Sequence, residues 1–367
     1  MKNIIYSHFI ILVIFSVSCQ KQESILDNPK GVFTYDLEEI KIDSIHIKSV
    51  LLRESNLIST ENYVVSINTD SDTLLRVFEL PDFTYLGAFG LQGQGPEDFY
   101  YPNNSSFAYT PDGITLADLK TIRLLEFSKP EKTGRMELKE KNRIKKPGEM
   151  LVSNNDFFMT ESIFCAVKNT DAKKHLQCYD EIMNSITDSI DFPEAPLNIP
   201  KSALYHLYGA NLKLSFDKTK IAIVYSKFPK LDIVNLESGK VQTTNTLGAP
   251  EQKEIKASPN GRTVNSRELI NYYKSIKVTS KYIYAIYQAS EFYKLDEPDY
   301  LGNMITSRVL TSRELHIFDW EGQAIAKIPL KEWMGNFSPL FDDSGIIFTN
   351  PEFSDALFRL NLPDFGQ

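Results

Sequence analysis

The stretch LDIVNLESGKVQTTNTLG, residues 231–248, contains the pattern that decides the fold. Apolar and polar residues alternate on both sides of Ser238-Gly239, a pair of residues typical of tight turns. Alternation of this kind indicates β-strands that are buried on one face. The stretch therefore predicts two antiparallel strands joined by a short hairpin turn.

Five further segments repeat the pattern of an alternating strand that ends in an apolar residue, an acid or amide, and a turn. They are LRVFELPD (75–82), RLLEFSK (123–129), LQCYDE (176–181), LHIFDWEG (315–322) and LFRLNLPD (357–364). Most neighbouring repeats are about 40 to 55 residues apart, the length of one four-stranded propeller blade. Further strand pairs precede the repeats, as in residues 105–119, where Asp112-Gly113 is a hairpin signal. The sequence thus predicts an all-β propeller of four-stranded antiparallel blades.

The two ends of the chain predict how the propeller closes. The last repeat stops soon after its third strand, while residues 31–50 offer a strand pattern without a partner. An N-terminal strand that completes the last blade would remove exposed sheet edges and give six blades. The step from Asn235 to Asp319 is roughly twice the others and would allow a seventh blade. It holds one further hairpin, residues 276–290, and residues 266–274 are helix-like, so six blades are favoured.

The start of the chain predicts export. Lys2 precedes an apolar run from Ile4 to Val17, which has the length of a signal-peptide core and is too short to span a membrane. Residues 1–18 are therefore predicted as a signal peptide. Residues 19–31 are predicted as a polar, flexible tether, and residues 32–367 as a single propeller domain.

Cys19 follows small residues at the end of the apolar run and resembles the acylated cysteine of a lipoprotein cleavage box, although Ser16 stands where leucine is usual. An ordinary secretory peptide with a chance cysteine is the alternative. Acyl chains on Cys19 would hold the protein on a membrane. The expected location is the bacterial cell envelope, at the outer membrane, with the periplasmic or surface side left open.

The charge of the chain argues against one class of partner. The 40 Lys and Arg residues face 48 Asp and Glu residues, for a formal net charge of −8, and no basic run suggests nucleic acid. No later stretch is long and apolar enough to span a bilayer. We expect contact with the membrane through the lipid anchor only, and an envelope protein, peptide or glycan as the partner.

Cys165 and Cys178 are the two cysteines that remain after Cys19. A hairpin turn at Asp171-Ala172 would set them opposite each other, and in an oxidising compartment such a pair can form a disulfide. Two free cysteines that pack as small hydrophobic side chains are an equally good interpretation.

Residues 90–99, GLQGQGPEDF, with Pro102 after them, resemble a family pattern close to G-x-x-G-x-G-P-G-E-F followed by a proline. The pattern belongs to TolB-like and NHL-like six-bladed propeller lipoproteins of Bacteroidota, where it lies between the first and second blades, as here. Glu97 stands where glycine is usual, and Asp98 replaces glutamate. The resemblance implies a propeller fold and an envelope location, and it implies no particular activity.

The propeller topology predicts where long loops lie. Connections from strand d of one blade to strand a of the next, and from b to c, emerge on one face of the disc. The segments 90–99, 191–209, 249–275 and 291–312 are all of these kinds, so we call this the loop-rich face. The a–b and c–d turns, such as Pro81-Asp82, emerge on the other face, which we call the turn face. Long loops on a rigid scaffold commonly carry binding residues, so we expect the site on the loop-rich face.

The binding candidates on that face are charged and aromatic side chains suited to a glycan or a partner protein. They are Glu97, Asp98, Arg262, Tyr272, Tyr273, Tyr293, Asp299 and Tyr300. The four tyrosines are expected in loops or a short helix. A structural interpretation competes with the functional one, because acid pairs suit turns and Gly90, Gly93 and Gly95 suit a tight crossing that needs positive φ.

No catalytic, cofactor or metal site is predicted. The histidines His46, His175, His206 and His316 are never at metal-ligand spacing, and His316 is expected to be solvated or to pack between blades rather than to bind a metal. The sequence lacks G-x-S-x-G, H-E-x-x-H and P-loop motifs. A non-catalytic binding module is the favoured hypothesis. Bound Ca²⁺, and a propeller hydrolase or lyase with a site in the central channel, are the alternatives.

Overall fold

A computed structural model describes most of the predicted propeller domain. The described residues are 31–37, 40–47, 56–110, 112–129, 135–145, 157–159, 163–170, 173–180, 186–191, 207, 209–260, 263–265, 269–291, 313–330, 334–350, 353 and 355–366. Their strands form six sheets. Within these ranges no helix is long and apolar enough to cross a membrane.

Two N-terminal strands, β1 (Tyr35–Asp36) and β2 (Ile42–His46), precede the first sheet. The first sheet contains β3 (Asn56–Ser59), β4 (Tyr63–Ile67), β5 (Thr73–Glu79) and β6 (Thr84–Leu91). The second contains β7 (Asn103–Thr110), β8 (Gly113–Ala117), β9 (Thr121–Ser128) and β10 (Glu137–Lys145). The third contains β11 (Phe157–Met159), β12 (Ile163–Thr170), β13 (Lys173–Asp180) and β14 (Ile186–Asp191).

The remaining three sheets complete the architecture. The fourth contains β15 (Ala210–Leu214), β16 (Lys220–Tyr225), β17 (Lys230–Asn235) and β18 (Val241–Asn245). The fifth contains β19 (Ile270–Val278), β20 (Tyr282–Glu291), β21 (Arg313–Asp319) and β22 (Ala324–Leu330), with β1 parallel to β22 at its edge. The sixth contains β23 (Phe337–Pro339), β24 (Gly345–Phe348) and β25 (Ala356–Asn361), and β2 is its fourth strand.

The first strands of the six sheets contact one another in a closed cycle. The order is β3, β7, β11, β15, β19, β23 and back to β3. These strands therefore surround a central channel, and each sheet extends outward from it in chain order. The predicted all-β propeller of four-stranded antiparallel blades is confirmed.

The last sheet is completed by the N-terminal part of the chain. β2 pairs antiparallel with β25, so that Ile42 lies opposite Leu360 and His46 opposite Ala356. This pairing leaves β25 an inner rather than an edge strand, which is the gain expected from closure. The predicted N-terminal closing strand is confirmed.

The core lies between neighbouring sheets. Val65 and Leu75 of the first sheet pack in one cluster with Phe107 and Leu116 of the second, and all four side chains are buried. Each such side chain removed from water contributes about 1.5 to 3 kcal/mol. The alternating strands thus bury their apolar residues against the adjacent sheet.

The prediction of a helix-like segment at residues 266–274 was wrong from Ile270 onward, since that part belongs to β19. Register shifts interrupt the pairing of β19 with β20 between Asn271 and Tyr273 and between Tyr273 and Ser275. Such bulges break the two-residue period of a strand. The apolar spacing therefore imitates a helix in the sequence. In the long step from Asn235 to Asp319, the described strands belong to the fourth and fifth sheets.

Candidate functional site

The strand order assigns each connection to one of the two faces of the propeller. The connections 92–102, 146–156, 192–209 and 246–269 run from a fourth strand to the next first strand, and 292–312 runs from a second to a third. These are the connections of the loop-rich face. Turns on the opposite face are shorter, as in 80–83, 236–240 and 320–323.

The glycine-rich connection 92–102 folds back on itself. The Phe99 N–H donates to the Leu91 carbonyl at 2.8 Å, and the Asp98 Oδ2 atom accepts from the Gly95 N–H at 2.9 Å. Gly90 has a φ of 71°, as predicted for a tight crossing. The same expectation was wrong for Gly93 and Gly95, which are absent from the positive-φ residues. A Cβ atom at either position would meet the Asp98 carboxylate, so a larger residue there would require that side chain to shift.

The guanidinium of Arg123, in β9, binds the backbone of this connection. Its guanidinium donates to the Glu97 carbonyl at 2.8 Å, to the Asp98 carbonyl, and to the Asp118 carboxylate at 3.3 Å. It also lies 4.2 Å from the centre of the Phe99 ring. The Arg123 side chain is only 5% exposed, so these partners compensate a buried charge.

A second arginine, Arg143 of β10, contacts the outside of the same connection. Its Nη2 atom lies 2.7 Å from a Glu97 carboxylate oxygen, and its Nη1 atom donates to the Pro96 carbonyl at 2.8 Å. The hydrogen bond from Arg143 to Glu140 is the main cause that raises the pKa of Arg143. Glu97 and Asp98, both sequence candidates, therefore have structural partners, and sequence reasoning missed the two arginines that bind this connection.

Next to this anchored loop lie Tyr100, Tyr101 and Leu119, which we call the tyrosine patch; Tyr100 is partly buried and the other two are exposed. Tyr101 is 66% exposed and Leu119 is 42% exposed. The two tyrosine rings are 4.7 Å apart and nearly perpendicular. The Leu119 N–H donates to the Tyr100 carbonyl at 2.8 Å, and the Lys120 ammonium lies 4.3 Å from the Tyr100 ring. The patch therefore exposes the side chains of Tyr101 and Leu119, and a backbone hydrogen bond joins its two segments.

The placement of Tyr272 and Tyr273 in a loop or short helix was wrong. Both residues lie in β19 and are almost fully buried. The Tyr272 hydroxyl donates to the Pro250 carbonyl at 2.8 Å, and the Tyr273 hydroxyl lies 2.6 Å from the Thr246 hydroxyl. Burial raises the pKa of Tyr272 to about 12. Because both rings are buried, neither is accessible to a ligand at the protein surface.

His316 extends the hydrogen bonds of Tyr273. Its Nδ1 atom lies 3.2 Å from the Tyr273 hydroxyl, and its Nε2 atom lies 2.8 Å from a Glu314 carboxylate oxygen. The imidazole is stacked on Tyr287 at 4.4 Å and contacts Phe33 at 4.5 Å. Burial lowers the pKa of His316, and the bond to Glu314 opposes this effect. His316 is a buried packing residue, as expected.

Several sequence candidates fall outside the described residues. These are Cys19, Arg262, Tyr293, Asp299 and Tyr300. The register of β12 with β13 sets Cys165 opposite Cys178, and their disulfide stays a prediction. In the part of the chain that the structure describes, no group of three or more His, Cys, Asp or Glu residues could hold a metal ion.

The closed cycle of inner strands and the four-stranded sheets define a β-propeller protein. The sequence pattern of the TolB-like 6-blade propeller-like family matches residues 34–338, and the chain belongs to this family. The family resemblance seen in the sequence is thereby confirmed.

Two solved structures are similar in fold. A member of the DUF4221 family from Bacteroides vulgatus has a TM-score of 0.56 and 11% identity, over 89% of this chain and 96% of its own. A second protein, from Bacteroides fragilis, has a TM-score of 0.54 and 10% identity, over 90% of this chain and 99% of its own. Its name suggests that it is exported. At these identities the likeness concerns the fold alone. No curated protein matches the sequence.

Proposed function

We propose that the chain is an exported, lipid-anchored, six-bladed propeller that binds an envelope protein, peptide or glycan through its loop-rich face. The observation that carries this proposal is the tyrosine patch, where Tyr101 is 66% exposed on a loop that buried Arg123 holds in place. Exposed aromatic rings on a rigid support are typical of binding surfaces because little conformational entropy is lost on contact.

The chemistry of the patch fits the proposed partners. Tyrosine rings stack on sugar rings and on apolar side chains, and each hydroxyl can make a hydrogen bond at the edge. Lys120 adds a positive charge beside Tyr100, which suits an acidic group on the partner. Tyr293, Asp299 and Tyr300 lie outside the described residues, in the connection between β20 and β21, and are proposed to contribute to the same surface.

Export and anchoring are supported by the apolar run before Cys19 and by the name of the Bacteroides fragilis protein of similar fold. Residues 19–31 would then link the lipid to the propeller. Cys19→Ser is expected to move the protein from the membrane fraction to the soluble fraction of its host, since the acyl chains attach at this thiol. Membrane retention of the serine variant at the level of the unchanged protein would contradict lipidation at Cys19.

The binding surface is tested with Tyr101→Ala. We expect affinity for the partner to fall by about tenfold or more, because an exposed aromatic residue at the centre of a contact commonly carries much of the binding free energy. The measurement is calorimetric titration with ligands found by a glycan array and by crosslinking of the full chain in envelope extracts.

The matched control is Tyr85→Ala, which removes a tyrosine of 38% exposure just after the turn 80–83, on the turn face. This variant is expected to retain the affinity of the unchanged protein. If Tyr85→Ala weakens binding and Tyr101→Ala does not, the partner uses the turn face, and the proposed surface is wrong.

A further inference from the structure

Exposed large apolar and aromatic side chains are distributed unevenly between the two faces of the propeller. In the part of the chain that the structure describes, five of them lie in or next to connections of the loop-rich face, with exposed fractions of 42% to 66%. They are Leu91, Tyr101, Leu119, Leu247 and Phe353. Beside the described turns of the turn face there are two, Tyr85 and Val241, at 38% and 39%. Val32 and Tyr35 belong to the N-terminal segment. The loop-rich face therefore carries more of the exposed apolar surface.

The five side chains come from several sheets. Leu91 ends β6 of the first sheet, Tyr101 lies in the connection to the second, and Leu119 lies between β8 and β9. Leu247 follows β18 of the fourth sheet, and Phe353 lies between β24 and β25 of the sixth. A protein partner commonly buries one contiguous apolar patch. A lipid surface extends over the whole face and receives separate side chains at the same time, so this distribution favours a lipid surface.

Leu247 lies at the tip of a tight turn. The Ala249 N–H donates to the Thr246 carbonyl at 3.4 Å, and Gly248 has a φ of 73°, a value that suits the third position of a type II turn. No atom lies within 4 Å of the place that a Cβ atom on Gly248 would occupy. Turn tips usually carry polar residues. An exposed leucine at this tip is therefore placed to enter an apolar layer.

The N-terminal segment reaches the propeller beside this turn. A Cβ atom on Gly31 would overlap the Asn245 carbonyl oxygen and would lie 3.1 Å from the Leu247 Cγ atom. Val32, the next residue, is also exposed. The Phe33 ring and the pairing of β1 with β22 then hold the segment on the fifth sheet. Toward its N-terminus, the chain thus leaves the propeller next to Leu247.

The predicted tether keeps this edge of the disc near the lipid. Gly31 is twelve residues after Cys19, and a chain of this length spans at most about 40 Å when it is fully extended. An anchor at Cys19 therefore holds the loop-rich face at a high local concentration near the bilayer. Apolar contacts that are too weak to bind a membrane from solution are then occupied.

Charge does not explain an attraction to lipid at this edge. Residues 249–256, which follow the turn, contain two acids and two lysines, namely Glu251, Glu254, Lys253 and Lys256. Lys256 and Glu254 form an exposed ion pair at 3.2 Å. The segment is thus close to neutral, and contact with lipid would depend on its apolar side chains.

We propose that the loop-rich face lies against the lipid surface, with Leu247, Tyr101 and Phe353 in the layer between the headgroups and the acyl chains. Tyrosine suits this layer because its ring is apolar and its hydroxyl is polar. The inference rests on the lipid anchor proposed above, and it deepens that proposal by placing the partner of the tyrosine patch at the membrane.

The test is fluorescence of the full, lipidated chain in phosphatidylcholine vesicles with brominated acyl chains, which quench a tryptophan that touches them. The probes are Leu247→Trp and Phe353→Trp. The matched controls are Val241→Trp, at the opposite end of β18 from Leu247, and Tyr85→Trp, both on the turn face. The signal of the unchanged chain is subtracted. We expect at least about threefold more quenching for the two probes, because interfacial side chains enter about 5 to 10 Å into the boundary layer.

Equal quenching at both faces would overturn the proposal, since the disc would then have no fixed orientation. Quenching of Leu247→Trp without Phe353→Trp would also overturn it, because the tether alone would then explain the contact. Vesicles that contain anionic phosphatidylglycerol should give the same quenching, and a requirement for them would contradict apolar contact. Unquenched probes together with a dimer of the Cys19→Ser chain in sedimentation would assign the face to a second copy.

Failure of the anchor is distinguished from failure of the orientation. A chain that does not float with the vesicles would contradict lipidation at Cys19 only. Its orientation is then measured after coupling Cys19 to a maleimide lipid, with alanine at Cys165 and Cys178 to keep the coupling specific. Circular dichroism checks that each variant is folded. Hydrogen exchange of the unchanged chain needs no tryptophan variant, and we expect slower exchange in vesicles at residues 247–249 and no change at 236–240.

Discussion

Two cations, Arg123 in the second sheet and Lys277 in the fifth, show how similar charges differ in their surroundings. Arg123 is bound by two carboxylates, those of Asp118 and Glu140, and by two loop carbonyls and an aromatic ring. In the part of the chain that the structure describes, Lys277 donates to an amide oxygen and to one carbonyl, both neutral. A charge that the protein compensates stabilises the fold around it. A desolvated charge whose partners are neutral costs stability.

The largest effect is expected from Arg123→Met. The substitution leaves the Asp118 carboxylate, which is 2% exposed, without its cation. It also frees the Glu97 and Asp98 carbonyls. Removing one partner of a buried pair commonly costs about 3 to 5 kcal/mol, and we expect the free energy of unfolding to fall by that order. Urea denaturation followed by circular dichroism measures it.

Arg143→Met is the control for that comparison, because Arg143 binds the same loop from a side chain that is 29% exposed. Exposed ion pairs contribute about 0 to 1 kcal/mol, so we expect a loss within that range. An equal loss for the two arginine variants would show that burial of Arg123 does not decide the energetics of the loop.

The smallest change, and one of opposite sign, is expected from Lys277→Met at neutral pH. Asn56 Oδ1 still accepts from the Leu57 N–H at 2.8 Å after the substitution, and a desolvated cation is removed. We expect the free energy of unfolding to stay within about 1 kcal/mol of the unchanged protein or to rise. Thermal and urea denaturation at pH 7 measure the difference.

The pH dependence of that difference sharpens the comparison. The pKa of Lys277 is lowered in the folded protein, so the unfolded chain binds more protons between that lowered value and about 10.4. The stability contributed by Lys277 therefore rises with pH across this window. The amount by which the free energy of unfolding of Lys277→Met exceeds that of the unchanged protein should be largest near neutral pH and should shrink toward pH 10. An advantage that grows with pH would contradict the desolvated state of Lys277.

The sequence predicted those parts of the fold that depend on local alternation. The strand and turn at residues 231–248 form β17, β18 and the turn between them, because period-two patterning and Ser238-Gly239 act within the segment. The closing strand was also predictable, since the last repeat visibly lacked its fourth strand. At β19 the prediction was wrong because bulges hide the period of the strand.

The candidate site was less predictable because its contacts are remote in sequence. Arg123 stands between the apolar residues Ile122 and Leu124 in β9, and a charge in that position is a signal of a buried partner. The sequence cannot say that the partner is the loop at Glu97 and Asp98. Lys277 carries even less signal, because basic residues are common in strands and its channel arises only when six sheets meet.

The pairing of β2 with β25 has a consequence for the time course of folding. In the sequence, β2 precedes all the strands of the first five sheets except β1, and β25 follows them. Contacts between such distant segments form slowly, because a long loop must close before they are gained. During synthesis β2 therefore has no partner strand until the other five sheets and β25 have been made. A chain truncated before Ala356 would keep β2 without its partner permanently, and would offer that edge to other chains instead.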